Sequence, residues 1–505
     1  MAIASQAGGQ TYTQILKSTV MIGGSSLVNI VFAIIRNKAM AILLGPGGFG
    51  LMGLYTSIAD LTQTLAGFGV QSSGVRQIAE AAGSGDENRI ARTATALRRI
   101  SVVLGLVGAL LLAVFAMPVA SFTFEDDAHT AGVLLLAAAV FFRLISAGQM
   151  ALIQGMRRIG DLARINMLAA LFSTVISIPL VYLFGEQGIV PALVAMAAVS
   201  VLTSWWYARK VRIPAPNMSL REVRDETGAL MKLGIVFMAS AVLTVGAAYA
   251  VRIIVMRHEG VAAAGLYQAA WALGGLYASF ILQAMGTDFY PRLTAVADDH
   301  SECNRLVNEQ AQISMLLAGP GVLGTLTVAP FVVTLFYSAE FAPAVDLLRW
   351  ICLGMMLRII AWPMGFIVLA KGARQIFFWT EVAATVVHVG LAWFLVPLIG
   401  PDGAGIAFFG LYVWHGVLIY VIAGRMTGFR WSAENVKLGL IFLPASAAVF
   451  GAFYLLPFWQ ATAAGVLVTG MAGLYSLHML LTLLPPDSLP TPLRTLAVRV
   501  NRAVR

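Results

Sequence analysis

Residues 131–156 read AGVLLLAAAVFFRLISAGQMALIQGM, an apolar run with one cation, Arg143, near its middle. A bilayer's hydrocarbon core is about 30 Å thick and takes roughly 20 helical residues to cross, so this run is a membrane span. A charge at such depth is costly and rare. At a shift of 215 positions the pattern returns. Residues 343–370 read PAVDLLRWICLGMMLRIIAWPMGFIVLA, with Arg358 in the middle. Lys17 and Lys232 repeat at the same shift, and Arg36 with Arg252 and Arg76 with Arg292 repeat at 216. Lys and Arg are scarce in apolar segments, so these coincidences point to a duplicated chain.

The composition agrees with a polytopic membrane protein. Of 505 residues, 59% are hydrophobic and 11% charged, and mean hydropathy is +0.83. Soluble chains carry about 25% charged residues. The net charge of +9 sits mostly in short loops, where it reports topology, so no nucleic-acid partner is expected. The two cysteines, Cys303 in a loop and Cys352 in an apolar helix, predict neither a disulfide nor a metal cluster. The first apolar segment runs for nearly thirty residues without a basic lead-in. It reads as a retained first transmembrane helix, not a cleaved signal.

Apolar stretches bounded by charge, Gly or Pro predict fourteen spans, near 14–43, 49–77, 99–122, 131–156, 162–184, 188–208, 230–256, 262–290, 309–337, 343–370, 375–398, 403–424, 436–456 and 462–484. Alternate loops hold nearly all the Lys and Arg, which predicts cytoplasmic N- and C-termini in a bacterial inner membrane. The basic loop 209–229, with Pro214 and Pro216, divides the chain. The expected fold is all-α and polytopic, with about 14 transmembrane helices in two parallel-repeat six-helix lobes plus two C-terminal helices. The boundaries are an N-lobe at 11–210, a cytoplasmic linker at 211–229, a C-lobe at 230–425, extra helices at 426–485 and a basic tail at 486–505. Glycines align as well: Gly45, Gly50, Gly185 and Gly188 correspond to Gly260, Gly265, Gly400 and Gly403. Six spans per half is an even number, so the repeat is parallel, a design used for alternating access.

Enzyme signatures are missing: there is no phosphate-cradling P-loop, no His-rich metal spacing and no nucleophile elbow. The membrane cations carry the signal. Arg143 and Arg358 lie mid-span, and Arg36 and Arg252 in the periplasmic thirds of spans one and seven. Lys17, Lys232, Arg76 and Arg292 fit cytoplasmic helix ends. Two roles suit the mid-span arginines: structural ion pairs with Asp60, Asp288 or Glu381, or a binding site for an anion. The cations outnumber these acids, which leaves positive charge for a ligand. A guanidinium stays protonated and grips phosphate oxygens bidentately. We therefore expect Arg143, Arg358, Arg36 and Arg252 to hold a pyrophosphate.

Polar stripes give the cavity its other surface. Ser18, Ser25, Asn29 and Arg36 share a face of span one, as Thr56, Asp60, Gln63, Gly67 and Gln71 do on span two. Gln268, Ser279 and Gln283 follow on span eight, beside Trp271. Such faces look inward, either as helix–helix glue or as a cavity wall. Amides, hydroxyls and aromatic rings suit sugars, which makes Asn29, Asp60, Gln63, Gln268, Trp271 and Gln283 the candidate sugar contacts. Asp60, Asp288 and Glu381 are the candidates for coupling to H+ or Na+, since a buried carboxylate can carry a proton between states. His388 and His415, each alone on an apolar helix, read as packing residues.

Several segments resemble a known family. Leu44-Gly-Pro-Gly-Gly-Phe-Gly after span one is similar to segments of Wzx-type polysaccharide and O-antigen flippases. So are Gly354-Met-Met-Leu-Arg-Ile running to Val368-Leu-Ala-Lys371, and Trp379-Thr-Glu-Val. These belong to the multidrug/oligosaccharidyl-lipid/polysaccharide exporter superfamily, and the likeness is to the branch handling enterobacterial common antigen lipid III. It spans roughly residues 11–425. It implies translocation of an undecaprenyl-pyrophosphate-linked oligosaccharide from the cytoplasmic to the periplasmic leaflet, without a cofactor, alongside other polysaccharide assembly proteins. Arg358 and Lys371 match the family's basic positions in span ten, and Glu381 its acid in span eleven. The two extra C-terminal spans depart from the usual twelve, whereas the related lipid II flippase has fourteen. A cation-coupled multidrug exporter of the same superfamily is the alternative, but it would need an acidic cavity. A membrane glycan polymerase or ligase would need large periplasmic loops, and the loops here are short.

Overall fold

The computed structural model describes the backbone of residues 2–211, 216, 218–284 and 289–483. Side chains are described within these, except those of 2–27, 220, 236, 277, 279, 280, 283 and 284. The basic tail expected at 486–505 lies outside the described residues, as do Arg212 and Pro214 of the linker.

Among the described residues all regular structure is helical. The helices are α1 (Ala2–Ala66), α2 (Val70–Ser84), α3 (Glu87–Val114), α4 (Ala116–Phe124), α5 (Thr130–Gly155), α6 (Ile159–Phe184), α7 (Ile189–Ala208), α8 (Leu220–Ala284), α9 (Tyr290–Ala295), α10 (His300–Phe336), α11 (Ala344–Ala370), α12 (Arg374–Ile399), α13 (Asp402–Thr427), α14 (Ala433–Leu455) and α15 (Phe458–Leu483). Eleven segments of the described residues are long and apolar enough to cross a membrane. The chain is an all-α, multi-pass membrane protein. Three of the eleven, at 28–66, 159–208 and 237–276, are too long for one crossing, and each contains a glycine at positive φ.

These breaks have a local cause. Gly45 has φ 61° and ψ −174°, and Gly260 has φ 86° and ψ 172°. That region of backbone space is essentially closed to residues with a Cβ. Pro46 follows Gly45 and suits the first turn of the helix that resumes there. The same register recurs elsewhere at a shift of 215: Arg157 (φ 53°) matches Gly372 (φ 65°), and Gly185 (φ 57°) matches Gly400 (φ 77°).

Helix starts follow their capping residues. Asp86 caps α3 by accepting from the Arg89 amide at 2.9 Å, and Ser432 caps α14 through the Asn435 amide at 3.2 Å. The linker of the sequence reading is already helical from Leu220. Ser219 and Glu222 form a reciprocal capping box there: the Ser219 amide donates to Glu222 at 2.8 Å and the Glu222 amide to Ser219 Oγ at 3.3 Å.

Contacts divide the chain into two units, one of residues 1–265 with 336–338, the other of 266–335 with 339–505. In the first, α5 packs against α3 and α7, α2 lies against α3 and α5, and α1 lies along α6. Small residues allow the close approach: a Cβ on Gly108 would meet Ala66 at 2.7 Å, and one on Gly155 would meet Ile78 at 2.6 Å. In the second unit α13 packs between α11 and α12. There α14 docks on α10, with Phe442 filling the space over Gly319 and Asn435 donating to Asn308 at 2.9 Å. Thr327 of α10 fills the space over Gly465 of α15.

Candidate functional site

In the first unit, Arg143 from the middle of α5 and Arg36 from α1 line one cavity of about 260 Å³. Thr56, Ser173 and Ser200 give it hydroxyls, and Ala59, Ala139, Ala169, Ala170 and Ala197 keep it open by their small size. Arg143 donates to Asp60 Oδ1 at 2.7 Å. Asp60 comes from α1, one turn beyond Thr56, and both partners are half-buried. Two guanidinium groups thus line this chamber, and one of them is paired with a carboxylate. An ion pair in a low-dielectric site holds the Arg143 fork in place, and Arg36 brings a second charge to the same wall.

Arg252 also belongs to the first unit. It is 8% exposed and donates to the Ser57 hydroxyl of α1. Asn29 and Gln63 on α1 are half-buried, and the Asn29 Oδ1 is a buried acceptor without a hydrogen bond among the described residues.

In the second unit, Arg358 of α11 lies against aromatic rings. Its guanidinium carbon is 4.8 Å from the Trp362 ring centre and 5.8 Å from that of Tyr412 on α13. Such stacking stabilises a cation that has left water. The Arg358 Nε is buried without a hydrogen-bond acceptor among the described residues. Glu381 and His388 of α12 and His415 of α13 are within electrostatic reach of this guanidinium. His388 Nε2, His415 Nδ1 and Gln268 Oε1 are likewise buried without partners among the described residues. Trp271 stands edge-on to Phe408 at 4.9 Å, and Phe408 packs on Tyr412 at 5.0 Å. One aromatic-lined cluster therefore joins Arg358 and Trp271. Lys371 ends α11 half-buried.

The side chains of Lys17, Ser18, Ser25, Ser279 and Gln283 lie outside the described residues, and so does Asp288 altogether. Two of the arginine's neighbours, Trp362 and Tyr412, went unrecognised in the sequence, and His415, a packing residue by sequence, is a third. The i, i+4 spacing of Arg358 and Trp362 is the signal that carries one of them. Arg349 was also missed. It is 6% exposed, pairs with Asp346 at 2.9 Å and stacks on Phe453 of α14 at 3.8 Å. Among the described residues no group of His, Cys, Asp and Glu is placed to hold a metal.

Comparison with known proteins places the chain. It is 22% identical over 410 residues to the Lipid III flippase of Escherichia coli (strain K12), covering 79% of this chain and 95% of that one. Among solved structures, the lipid II flippase MurJ in an inward closed conformation has the same fold, with TM-score 0.64, 14% identity, and 90% and 98% of the two chains covered. An inward-facing multidrug resistance MATE family transporter of the MOP superfamily does too, with TM-score 0.61, 17% identity and coverage of 80% and 95%. A family model described as Polysaccharide biosynthesis protein matches residues 39–346, more than half of the chain. The arginine-bearing helical chain belongs to the polysaccharide biosynthesis protein family.

Proposed function

We infer that this protein is a flippase. It moves an undecaprenyl-pyrophosphate-linked oligosaccharide from the cytoplasmic to the periplasmic leaflet of the inner membrane, by alternating access, for surface polysaccharide assembly. The observation that carries this reading is the chamber of the first unit, which Arg36 and Arg143 both line, with Asp60 paired to Arg143. A persistent excess of guanidinium inside a membrane protein suits a phosphate-bearing cargo. The family, and a relative that acts on lipid III, support the same cargo class.

In this reading Arg36, Arg143, Arg252 and Arg358 are the phosphate-binding residues. The sugars lie against Asn29, Asp60, Gln63, Gln268, Trp271 and Gln283. Division of the three longest helical segments at Gly45, Gly185 and Gly260 supports fourteen spans, and the shared backbone breaks support two parallel six-helix lobes followed by two helices. With both termini cytoplasmic, the inside-negative potential favours outward movement of the anion by about 2.3 kcal/mol per charge per 100 mV if the full field is crossed. Asp60, Asp288 and Glu381 are the carboxylates through which H+ or Na+ could be coupled.

Deletion of the gene tests the reading. Mass spectrometry of the membrane lipids should reveal an accumulated lipid-linked saccharide, whose mass names the sugar unit, together with loss of the surface glycan. An unchanged lipid-linked pool with normal glycan would overturn it.

A further inference from the structure

The cytoplasmic-type basic ends of the two repeats are not chemically equal. At the end of α7, Trp205 and Trp206 are each 49% exposed. The Arg209 guanidinium lies 3.7 Å from the Trp206 ring centre and 4.8 Å from that of Trp205, and the Lys210 ammonium 4.2 Å from the Tyr207 ring. Among the described residues neither cation pairs with a carboxylate. Ile153 of α5, Ile165 of α6 and Tyr207 and Ala208 of α7 form one buried cluster, so the ends of these three helices meet. The acid of that corner, Asp161, is already engaged by Arg158 at 2.6 Å and Arg164 at 3.5 Å.

Basic loops alone would report only topology. The repeat supplies the control. Positions 420, 421, 424 and 425 correspond to 205, 206, 209 and 210, and they hold Tyr, Val, Gly and Arg. The second corner is basic too, through Lys371 and Arg374, yet it lacks the tryptophan pair and the cation at position 424. Cations laid on exposed indole rings keep their N–H donors free for an oxyanion, while the rings and the exposed Leu202 offer an apolar surface beside them. Tryptophan at a helix end is also the residue that settles at head-group depth.

We propose that Trp205, Trp206, Arg209 and Lys210 form a binding site for the head group of an anionic phospholipid. The phosphate accepts from Arg209 and Lys210, and the upper acyl chains lie along Trp206 and Leu202. None of these residues lines the chamber of Arg36 and Arg143, and the proposal does not depend on what the cargo is.

The test uses the purified full chain and phosphatidylglycerol or phosphatidylcholine carrying the same dibrominated acyl chains, with quenching of tryptophan fluorescence as readout. Phosphatidylglycerol should quench at lower concentration than phosphatidylcholine, and W205F/W206F should remove that component. R209Q/K210Q should weaken phosphatidylglycerol about thirtyfold, since each surface cation contributes on the order of 1 kcal/mol toward an anionic lipid. K371Q/R374Q, in the equivalent corner, should leave it unchanged. Equal quenching by both lipids overturns the proposal, as does a preference that survives R209Q/K210Q in protein of normal size-exclusion profile. A polyprenyl pyrophosphate that displaces phosphatidylglycerol at far lower concentration would assign the corner to the cargo and overturn it as well.

Discussion

Gly50 and Gly265 each stand where the other's segment leaves no room for a side chain. A Cβ on Gly50 would lie 2.1 Å from the Val261 carbonyl oxygen, and one on Gly265 would lie 1.9 Å from that of Pro46. Residues 46 and 261 differ by 215, as 50 and 265 do. The contact is therefore reciprocal: each segment presents to the other the same carbonyl and the same glycine. Self-complementary contacts of this kind arise around two-fold axes. The aligned glycines of the two segments thus meet in the backbone.

A side chain at either glycine must force the two backbones apart. Gly265→Ala and Gly50→Ala should each lower stability by about 1–3 kcal/mol, the usual cost of overpacking. Gly47→Ala, where nothing lies within 4 Å of the added carbon, should be close to neutral. Thermal unfolding of the three variants in one detergent makes the comparison. Equal melting of Gly265→Ala and Gly47→Ala would contradict the close crossing.

The Asp60–Arg143 pair predicts opposite effects of its two partners on anion binding. Asp60→Asn removes the competing carboxylate and should tighten binding of inorganic pyrophosphate to the purified protein. Arg143→Gln should weaken it about tenfold to a hundredfold, the range of one charge-assisted hydrogen bond. Arg143→Lys should not restore the wild-type value, because an ammonium lacks the planar fork. Titration calorimetry reads all three. Weaker binding in Asp60→Asn would mean that the carboxylate holds the site open instead of competing for it.

In the second unit, Arg349 and Asp346 are paired but unequally exposed, with side chains 7% and 47% accessible. Loss of the acid leaves a buried cation without its counter-charge, and loss of the cation leaves an acid that water can reach. Asp346→Ala should therefore cost more than Arg349→Met, approaching the ~3–5 kcal/mol seen when one partner of a buried pair is removed. Melting temperatures of the two variants decide the order.

Stability at the start of α8 should depend on pH through Glu222. Hydrogen bonds from the Ser219 amide and hydroxyl hold its carboxyl below the usual glutamate range, and nearby Arg92, at 2.7 Å, adds to this. A group with a depressed folded-state value stabilises above the unfolded value and loses that contribution as pH falls through the folded one. The melting difference between wild type and Glu222→Gln should be fully present at neutral pH and close as the solution becomes more acid than ordinary glutamate titration. A gap that persists unchanged into strong acid would remove Glu222 as its source.

The helical, membrane-spanning character of the chain was legible because it follows from apolar length alone, as in residues 131–156. The break at Gly45 was legible as a turn from Gly-Pro-Gly-Gly. Its continuation as one long helical segment was not, since a single residue reverses the chain and no loop marks the place. Depth put Arg143 mid-span and Arg36 nearer the periplasm, and that both line one cavity depends on how α1 meets α5. Asp60 was singled out as an acid, but its choice of Arg143 depends on how α1 meets α5, and hydropathy carries no such information. The same limit hid the approach of Tyr412 and His415 to Arg358 from a helix more than fifty residues away. Arg349 was lost for another reason: beside Asp346 it reads as a local i, i+3 pair near a helix start, while the Phe453 ring that covers it comes from the far end of the sequence.

That ring has a consequence for shortened versions of the chain. Cutting after Thr427 would strip Phe453 from Arg349 and Phe442 from the notch over Gly319. What remained would not be a smaller working version of the protein. It would be a scaffold with an uncovered guanidinium and an open slot on its flank. Anyone seeking a minimal transporter from this chain should trim elsewhere, because the last two helices are part of the wall they stand against.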